Sequence, residues 1–132
     1  MSDNPFLYAG AEGLLEIVKL CIAAHADPTL TNRYGGSALI PACERGHVEV
    51  VEELLLHSEV DIDHVNNPGW TALLEAVLLS KESPRQRRVV QLLIEHGADV
   101  NIADKEGVTP LAHARRRGLE EIEAMLLAAG AR

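Results

Sequence analysis

Residues Gly97–Leu127 read GADVNIADKEGVTPLAHARRRGLEEIEAMLL, and this stretch decides the fold because weaker copies of its pattern recur three times upstream. Equivalent glycines lie 33, 34 and 38 residues apart in the pairs Gly13 and Gly46, Gly35 and Gly69, and Gly69 and Gly107. A period of about 33 residues is typical of solenoids, in which no single unit buries its apolar face alone.

The period divides the chain into four units, of about residues 1–32, 33–66, 67–104 and 105–132. In each unit we expect a first helix after a side chain that accepts hydrogen bonds from first-turn amides, namely Asn4, Ser37, Thr71 and Thr109. Apolar residues follow at i, i+3, i+4 spacing, and Gly13, Gly46 or Gly118 ends the helix. A second, more aliphatic helix comes next. Each unit is therefore predicted to hold two antiparallel helices and a projecting turn.

Three motifs carry a resemblance to a known family: Gly107-x-Thr109-Pro110-Leu111, Gly97-Ala98-Asp99-Val100-Asn101 and Gly46-His47-x-x-Val50-Val51. They match the signatures of ankyrin repeats over essentially the whole chain, and Phe6 to Trp70 resembles small bacterial ankyrin-repeat proteins. The resemblance implies one all-α ankyrin-repeat solenoid domain over residues 1–132. The family's usual histidine after T-P-L is absent, which puts its inter-repeat polar network in doubt; its places hold Leu7, Ile40, Leu74 and Ala112.

The two ends of the array differ. Arg115, Glu120 and Glu123 stand where other units have apolar residues, so the last unit is predicted to be a polar terminal repeat at which the array ends. The first unit has no such substitution, and we expect its outer face to be apolar. Two explanations stay open: further repeats precede it, or another chain, including a second copy, covers that face.

Composition limits the kind of partner. The net charge is −8 and aromatic residues make up 3% of the chain, so we expect an aliphatic core and neither a nucleic acid nor an anionic membrane as partner. No apolar run reaches the about 18 residues of a spanning helix, and no signal peptide is visible. We expect Cys21 and Cys43 to be buried, reduced thiols in the cytoplasm. A single disulfide, a redox switch, or an exported form with its leader removed are the alternatives.

No motif supports catalysis or a cofactor. His57, Asp61, Asp63 and His64 are the densest group of metal-ligating residue types, but they fit a longer variant of the repeat's turn better than a metal site. His25, His57 and His96 are predicted to share one helix-end position. No zinc-protease helix, phosphate-binding loop or nucleophile elbow occurs, so an enzyme is the least favoured class.

Binding of another protein is the function that the resemblance implies. In ankyrin arrays the turn tips and the exposed side of the first helices form a concave binding surface. Here those positions are Arg33, Tyr34, Gly36, Glu44, Arg45, Asn67, Pro68, Trp70, Leu78, Lys105, Glu106, Val108, Arg116 and Arg117. Trp70 is either an anchor for the partner or packing for the neighbouring turn. The alternative function is a structural or regulatory subunit that assembles through its first repeat.

Charge and an insertion add two further expectations. Glutamates dominate the second helices, whereas most arginines lie on the first helices, the turn tips or the insertion, so the front is expected to be neutral or basic and to suit an acidic or mixed peptide. The third unit is longer by about four residues in the stretch Ser80 to Arg88. Because Pro84 interrupts a helix, the insertion should lengthen the first helix or the following loop, either as a specificity element carrying Arg85, Arg87 and Arg88 or as a tolerated loop.

Overall fold

The computed structural model describes residues 4–78 and 82–132, and this part of the chain forms eight helices and no strand. The helices are α1 (Pro5–Glu12), α2 (Leu15–Ala23), α3 (Leu39–Glu44), α4 (Val48–His57), α5 (Ala72–Leu78), α6 (Pro84–Glu95), α7 (Pro110–Arg117) and α8 (Glu120–Ala128). The odd-numbered helices, here the inner helices, pack on one another in order, and the even-numbered outer helices do the same. Each inner helix also packs on the outer helix that follows it. The predicted all-α solenoid of helix pairs is confirmed, while the repeat boundaries remain a prediction.

The inner helices begin where the sequence predicts. All four capping side chains accept a hydrogen bond from a first-turn amide: Asn4 from Phe6, Ser37 from Leu39, Thr71 from Leu74 and Thr109 from Ala112. The three glycines that follow inner helices have left-handed backbones, with φ of 74° at Gly13, 72° at Gly46 and 68° at Gly118. Only glycine adopts this conformation without strain, and it turns the chain back toward the outer helix.

The core lies between the two layers and is aliphatic. The apolar positions of the inner helices are buried. So are Val18, Val51 and Val90 at one equivalent position of the outer helices, and Ile122 one position earlier on α8. Burial of each such side chain contributes about 1.5–3 kcal/mol. Ile17 and Leu20 of α2 differ from these residues, since they remain 43% and 68% exposed.

The first helix pair does carry an exposed apolar face. Its members are Tyr8, Leu14, Ile17 and Leu20, each between 37% and 68% exposed. Ile17 occupies the position that Val50 holds in the second pair, where the side chain is only 1% exposed because α2 packs on α4. The last pair differs, since Arg115 bonds Glu123 at 2.9 Å on an exposed polar surface.

The prediction that His25, His57 and His96 share one position at the ends of the outer helices is wrong for His25. His57 is the last residue of α4 and His96 caps α6, but His25 lies one position later, where its φ is 62°. His25 is therefore equivalent to Gly97. In both places the amide of the next residue, Ala26 or Ala98, donates an equivalent hydrogen bond to a carbonyl of the helix, that of Cys21 or Leu93. His25 is the one non-glycine residue with positive φ among the described residues, and such a backbone costs a residue with a side chain about 1 kcal/mol.

Part of the insertion belongs to the second helix of its pair. Leu79, Ser80 and Lys81 lie outside the described residues, so the lengthening of the first helix or the loop stays a prediction, but from Pro84 onward the insertion forms the first turn of α6. Ser83 Oγ accepts the amide of Gln86, and Pro84 follows the cap, where a missing N–H leaves no bond unmade.

The insertion ties the third helix pair to both neighbours. Toward α4, Arg85 donates to the Gly46 carbonyl at 3.0 Å and to Glu49 at 2.8 Å. Toward α8, Arg87 pairs with Glu121 at 3.0 Å. Arg88 Nη2 lies 3.9 Å from Glu52 Oε2 on α4. These arginines therefore sit among the acidic side chains of the outer helices, so the outer surface is not acidic throughout.

Candidate functional site

The turns between helix pairs project because one side chain holds each of them. Asn32, Asn66 and Asp104 are equivalent, and each accepts hydrogen bonds from amides inside its own turn. Asn32 Oδ1 and Asp104 Oδ1 each accept two such bonds at 2.9 Å. We call residues 33–36, 67–70 and 105–108 the turn tips. These bonds join backbone amides to the turn-holding residue, so they use no side chain of the tips themselves.

Successive turn tips are also joined to one another. The Asn67 amide donates to the Tyr34 carbonyl at 2.7 Å, and Lys105 Nζ donates to the Asn67 carbonyl at 2.8 Å. Gly35 and Gly69 permit this approach, since a Cβ atom on either would collide with the side chain of Asn67 or Lys105. The tips therefore form one continuous ridge.

A groove of about 440 Å³ opens between the ridge and the inner helices α5 and α7. It is lined by Pro68, Trp70, Leu78, Asp104, Lys105, Glu106 and His113. Five of these residues were predicted to bind a partner, and the structure brings them together in one place. Trp70 is half-buried, and it lines the groove together with Lys105 and Glu106 of the next turn tip.

Sequence reasoning missed Asp104 and His113. His113 Nε2 lies 2.8 Å from Asp104 Oδ2, and both side chains are nearly buried. The pKa of Asp104 is lowered, first by the amide of Val108 and then by His113. The repeat itself held a signal, because Asn66 and Glu75 are also nine residues apart and are also bonded, at 2.9 Å.

Glu75 is a buried acid on α5, one of the two helices that border the groove. Its residue is only 6% exposed, and its Oε1 atom has no hydrogen-bond partner in the described part of the chain. Burial raises the pKa of Glu75, and the nearby charge of Glu44 raises it further, against the bond from Asn66. Through Asn66, which accepts the Trp70 amide, Glu75 is connected to the wall of the groove.

The remaining predicted residues extend over the same front surface, defined here as the turn tips and the exposed side of the inner helices. Arg33 stacks 5.1 Å above the Tyr34 ring, and Tyr34 is 56% exposed. Glu44 and Val108 are half-buried, and Arg116 is exposed. Gly36 is buried, so its inclusion among surface positions was wrong.

Arg45 and Arg117 are exposed but already engaged. They are equivalent residues, and each guanidinium reaches the carbonyl end of the preceding inner helix. Arg45 donates to Ala11 O at 2.9 Å and also pairs with Glu12. Arg117 donates to the carbonyls of Val77 and Leu78. Both arginines stabilise contacts between repeats, at the opposite end of the inner helices from the turn tips.

Three of the residues considered for a metal site, Asp61, Asp63 and His64, make hydrogen bonds within a turn or between turns. Asp61 accepts the Asp63 amide at 3.0 Å, Asp63 accepts the Asp99 amide at 3.0 Å, and His64 Nε2 lies 2.6 Å from the Gly35 carbonyl. Within residues 4–78 and 82–132 no three metal-ligating side chains come together. Cys43 is buried, which raises the pKa of its thiol, whereas Cys21 is only half-buried; both are free.

Among the described helices, none is both long and apolar enough to cross a bilayer.

Known proteins share this sequence pattern and architecture. A model of ankyrin repeats in three copies matches residues 6–102. The chain belongs to the ankyrin-repeat family. It is 46% identical over 128 residues to the ankyrin repeat protein YahD of Escherichia coli, covering 97% of this chain and 64% of YahD.

Two solved ankyrin structures are similar as well. An ankyrin repeat domain from Acinetobacter baumannii AYE superposes with a TM-score of 0.96 at 55% identity, over 98% of this chain and 66% of that one. The ankyrin repeat protein EF0377 gives a TM-score of 0.89 at 46% identity, over 96% of this chain and 64% of the other. The chain thus spans about two thirds of the length of each of these relatives.

Proposed function

We propose that this chain is a non-catalytic protein-binding module whose front surface holds a segment of a partner protein. Ankyrin-repeat domains generally mediate protein–protein interaction, which supports the class of function. The observation that carries the location is the groove, in which Trp70 and Leu78 lie beside the charged residues Lys105 and Glu106. Tryptophan is strongly enriched among residues that dominate binding energy, and it is most effective in a groove ringed by polar groups.

A capture experiment with matched variants tests this location. The wild type, a Tyr34→Ala/Trp70→Ala variant and a control Leu56→Ala/Leu127→Ala variant would be immobilised and exposed to lysate of the source cells. Leu56 and Leu127 are 55% and 46% exposed on outer helices, so the control removes similar apolar area elsewhere. We expect a protein that is retained by the wild type and the control and lost from the front variant. Equal retention by all three would contradict the proposed surface.

A purified partner would then give the size of the effect. Truncation of a central aromatic residue typically costs about 2 kcal/mol or more, which is roughly a thirtyfold rise in Kd. Titration calorimetry of the same three proteins would measure it, with circular dichroism showing equal helicity.

We also propose a cytoplasmic location, supported by the two free thiols. Fractionation of the source cells tests that location.

A second candidate function is assembly through the first helix pair, as a structural or regulatory subunit. The exposed Tyr8, Leu14, Ile17 and Leu20 favour it, because the equivalent positions in the next pair are half-buried or, at Val50, fully buried. In this alternative a second copy covers the face, and sedimentation velocity should show a concentration-dependent dimer. An Ile17→Lys/Leu20→Lys variant should be monomeric, whereas a Leu127→Lys control should not. A wild type that stays monomeric at high concentration would exclude self-assembly.

A further inference from the structure

The inner helices place four equivalent residues in a row across the front surface. Ala11, Glu44, Leu78 and Arg116 each lie seven residues after the capping residue of their own helix. Because α1, α3, α5 and α7 pack side by side in that order, neighbouring members of the row are about 8–10 Å apart. Leu78 lines the groove, so it has a carboxylate on one side and a guanidinium on the other.

The two charged side chains of this row, Glu44 and Arg116, are not used in contacts that hold the described part of the fold together. Neither Glu44 nor Arg116 makes a hydrogen bond or an ion pair with the described part of the chain, although Glu44 feels the charge of Glu75. Their neighbours differ in this respect, since Arg45 and Arg117 are bound to helix ends and Arg115 to Glu123. The row therefore offers one negative and one positive group about 20 Å apart, with Leu78 and the groove between them.

Glu75 strengthens the negative side. It lies three residues before Leu78 on the same face of α5, and its buried Oε1 atom has no partner among the described residues. An unpaired buried carboxylate oxygen is costly, and a cation held nearby offsets that cost. Glu44 and Glu75 repel each other, so both gain from a positive charge placed beside Glu44.

We propose that the groove recognises a partner segment with a fixed order of charge: a lysine or arginine beside Glu44, an apolar side chain in the groove at Trp70 and Leu78, and an acidic residue beside Arg116. This inference rests on the proposed function and adds the chemistry of the partner to it. An extended segment advances about 3.3 Å per residue, so about three residues separate the apolar side chain from each charge. Charge order of this kind fixes both register and direction of a bound segment.

Selection from a random twelve-residue display library tests the charge order. The wild type and a Glu44→Lys/Arg116→Glu variant, which has the same net charge, would be used as targets in parallel. We expect both pools to contain a central apolar residue, with basic and acidic flanks in opposite order in the two pools. A Glu53→Lys/Arg132→Glu variant, with the same exchange away from the row, should select the wild-type order. The same order in all pools, or no order, would overturn the inference.

Peptides from the wild-type pool separate this inference from the proposed function. We expect the Glu44→Lys/Arg116→Glu exchange to raise their Kd by roughly tenfold, which corresponds to the loss of two favourable charge contacts at a partly exposed site. Peptides that bind the wild type and lose binding to Trp70→Ala, yet show no charge order, leave the proposed surface intact and contradict only the inference. Peptides whose binding is unchanged by Trp70→Ala and by the Glu44→Lys/Arg116→Glu exchange would contradict both the inference and the proposed function. If the double variant unfolds, the single variants Glu44→Lys and Arg116→Glu give the same comparison.

Discussion

Gln86 Nε2 donates a 3.0 Å hydrogen bond to the carbonyl oxygen of Cys43, and so joins the start of α6 to the end of α3 in the preceding repeat. Gln86 occupies the position of His47 in the second helix pair, and His47 Nε2 lies 3.0 Å from the Ala11 carbonyl. The ring of His47 packs over Gly13 as the amide of Gln86 packs over Gly46. Two different side chains thus make the same kind of inter-repeat contact.

Replacement of Gln86 by alanine should lower the free energy of unfolding by about 2 kcal/mol, because Gln86 is buried and also donates to the Ala76 carbonyl. Urea denaturation followed by circular dichroism measures the change. The control is Gln91→Ala on the same helix, where the amide bonds only Glu95 on the surface; it should change stability by less than about 0.5 kcal/mol. Equal losses in the two variants would contradict the role of Gln86.

Removal of the Glu82 carboxylate should loosen α8. Glu82 Oε2 accepts the Ile122 amide at 3.2 Å, and the N-cap residue Leu119 supplies no side-chain bond to that helix. Glu82→Ala is expected to cost about 1 kcal/mol and to speed hydrogen exchange at the first-turn amides of α8. Glu53→Ala is the control, because Glu53 lies on an outer helix and is not a capping residue. Unchanged exchange in α8 would show that Glu82 does not cap it.

Glu75→Gln should stabilise the protein at neutral pH. Burial, followed by the charge of Glu44, raises the pKa of Glu75 in the fold above its ordinary value of 4.5. The folded state then binds a proton more tightly than the unfolded state, so the wild type loses stability as pH rises from 4.5 through the raised pKa. The variant escapes this loss and should gain about 1 kcal/mol at neutral pH.

The pH dependence makes this prediction specific. Below the ordinary value of 4.5 both states of the wild type carry the proton, so the advantage of Glu75→Gln should disappear there. Glu44→Gln removes only the neighbouring charge and should give a smaller gain. Urea titrations across this range measure both variants. A gain for Glu75→Gln that persists at low pH would show that ionisation is not its cause.

His25→Gly should raise stability, since φ at this residue is 62° and glycine adopts that backbone without a steric cost. The loss of entropy on folding of glycine offsets part of the gain, so we expect about 0.5 kcal/mol. His57→Gly is the matched control, because His57 lies inside the last turn of α4 and glycine there should cost about 0.5–1 kcal/mol. Thermal unfolding distinguishes the two signs.

Much of the proposed binding surface could be predicted from the repeat. Positions 33–34, 67–70 and 105–108 follow the turn-holding residues at fixed offsets, so their place on the turn tips follows from the period. Asp104 and His113 escaped notice because their pairing depends on two residues nine apart that are not adjacent in any regular element. The repeated spacing of Asn66 and Glu75 was the signal that could have revealed them.

The sequence by itself determined the helices and their order, because caps at Asn4 and Thr109, left-handed glycines and apolar spacing act within a few residues. The tertiary structure alone decided which charged groups remain free. Arg45, Arg117 and the arginines of the insertion bond carbonyls and carboxylates of adjacent repeats, whereas Glu44 and Arg116 have no such partner among the described residues. The physical reason is that these partners lie more than thirty residues away along the chain, where local propensity carries no information.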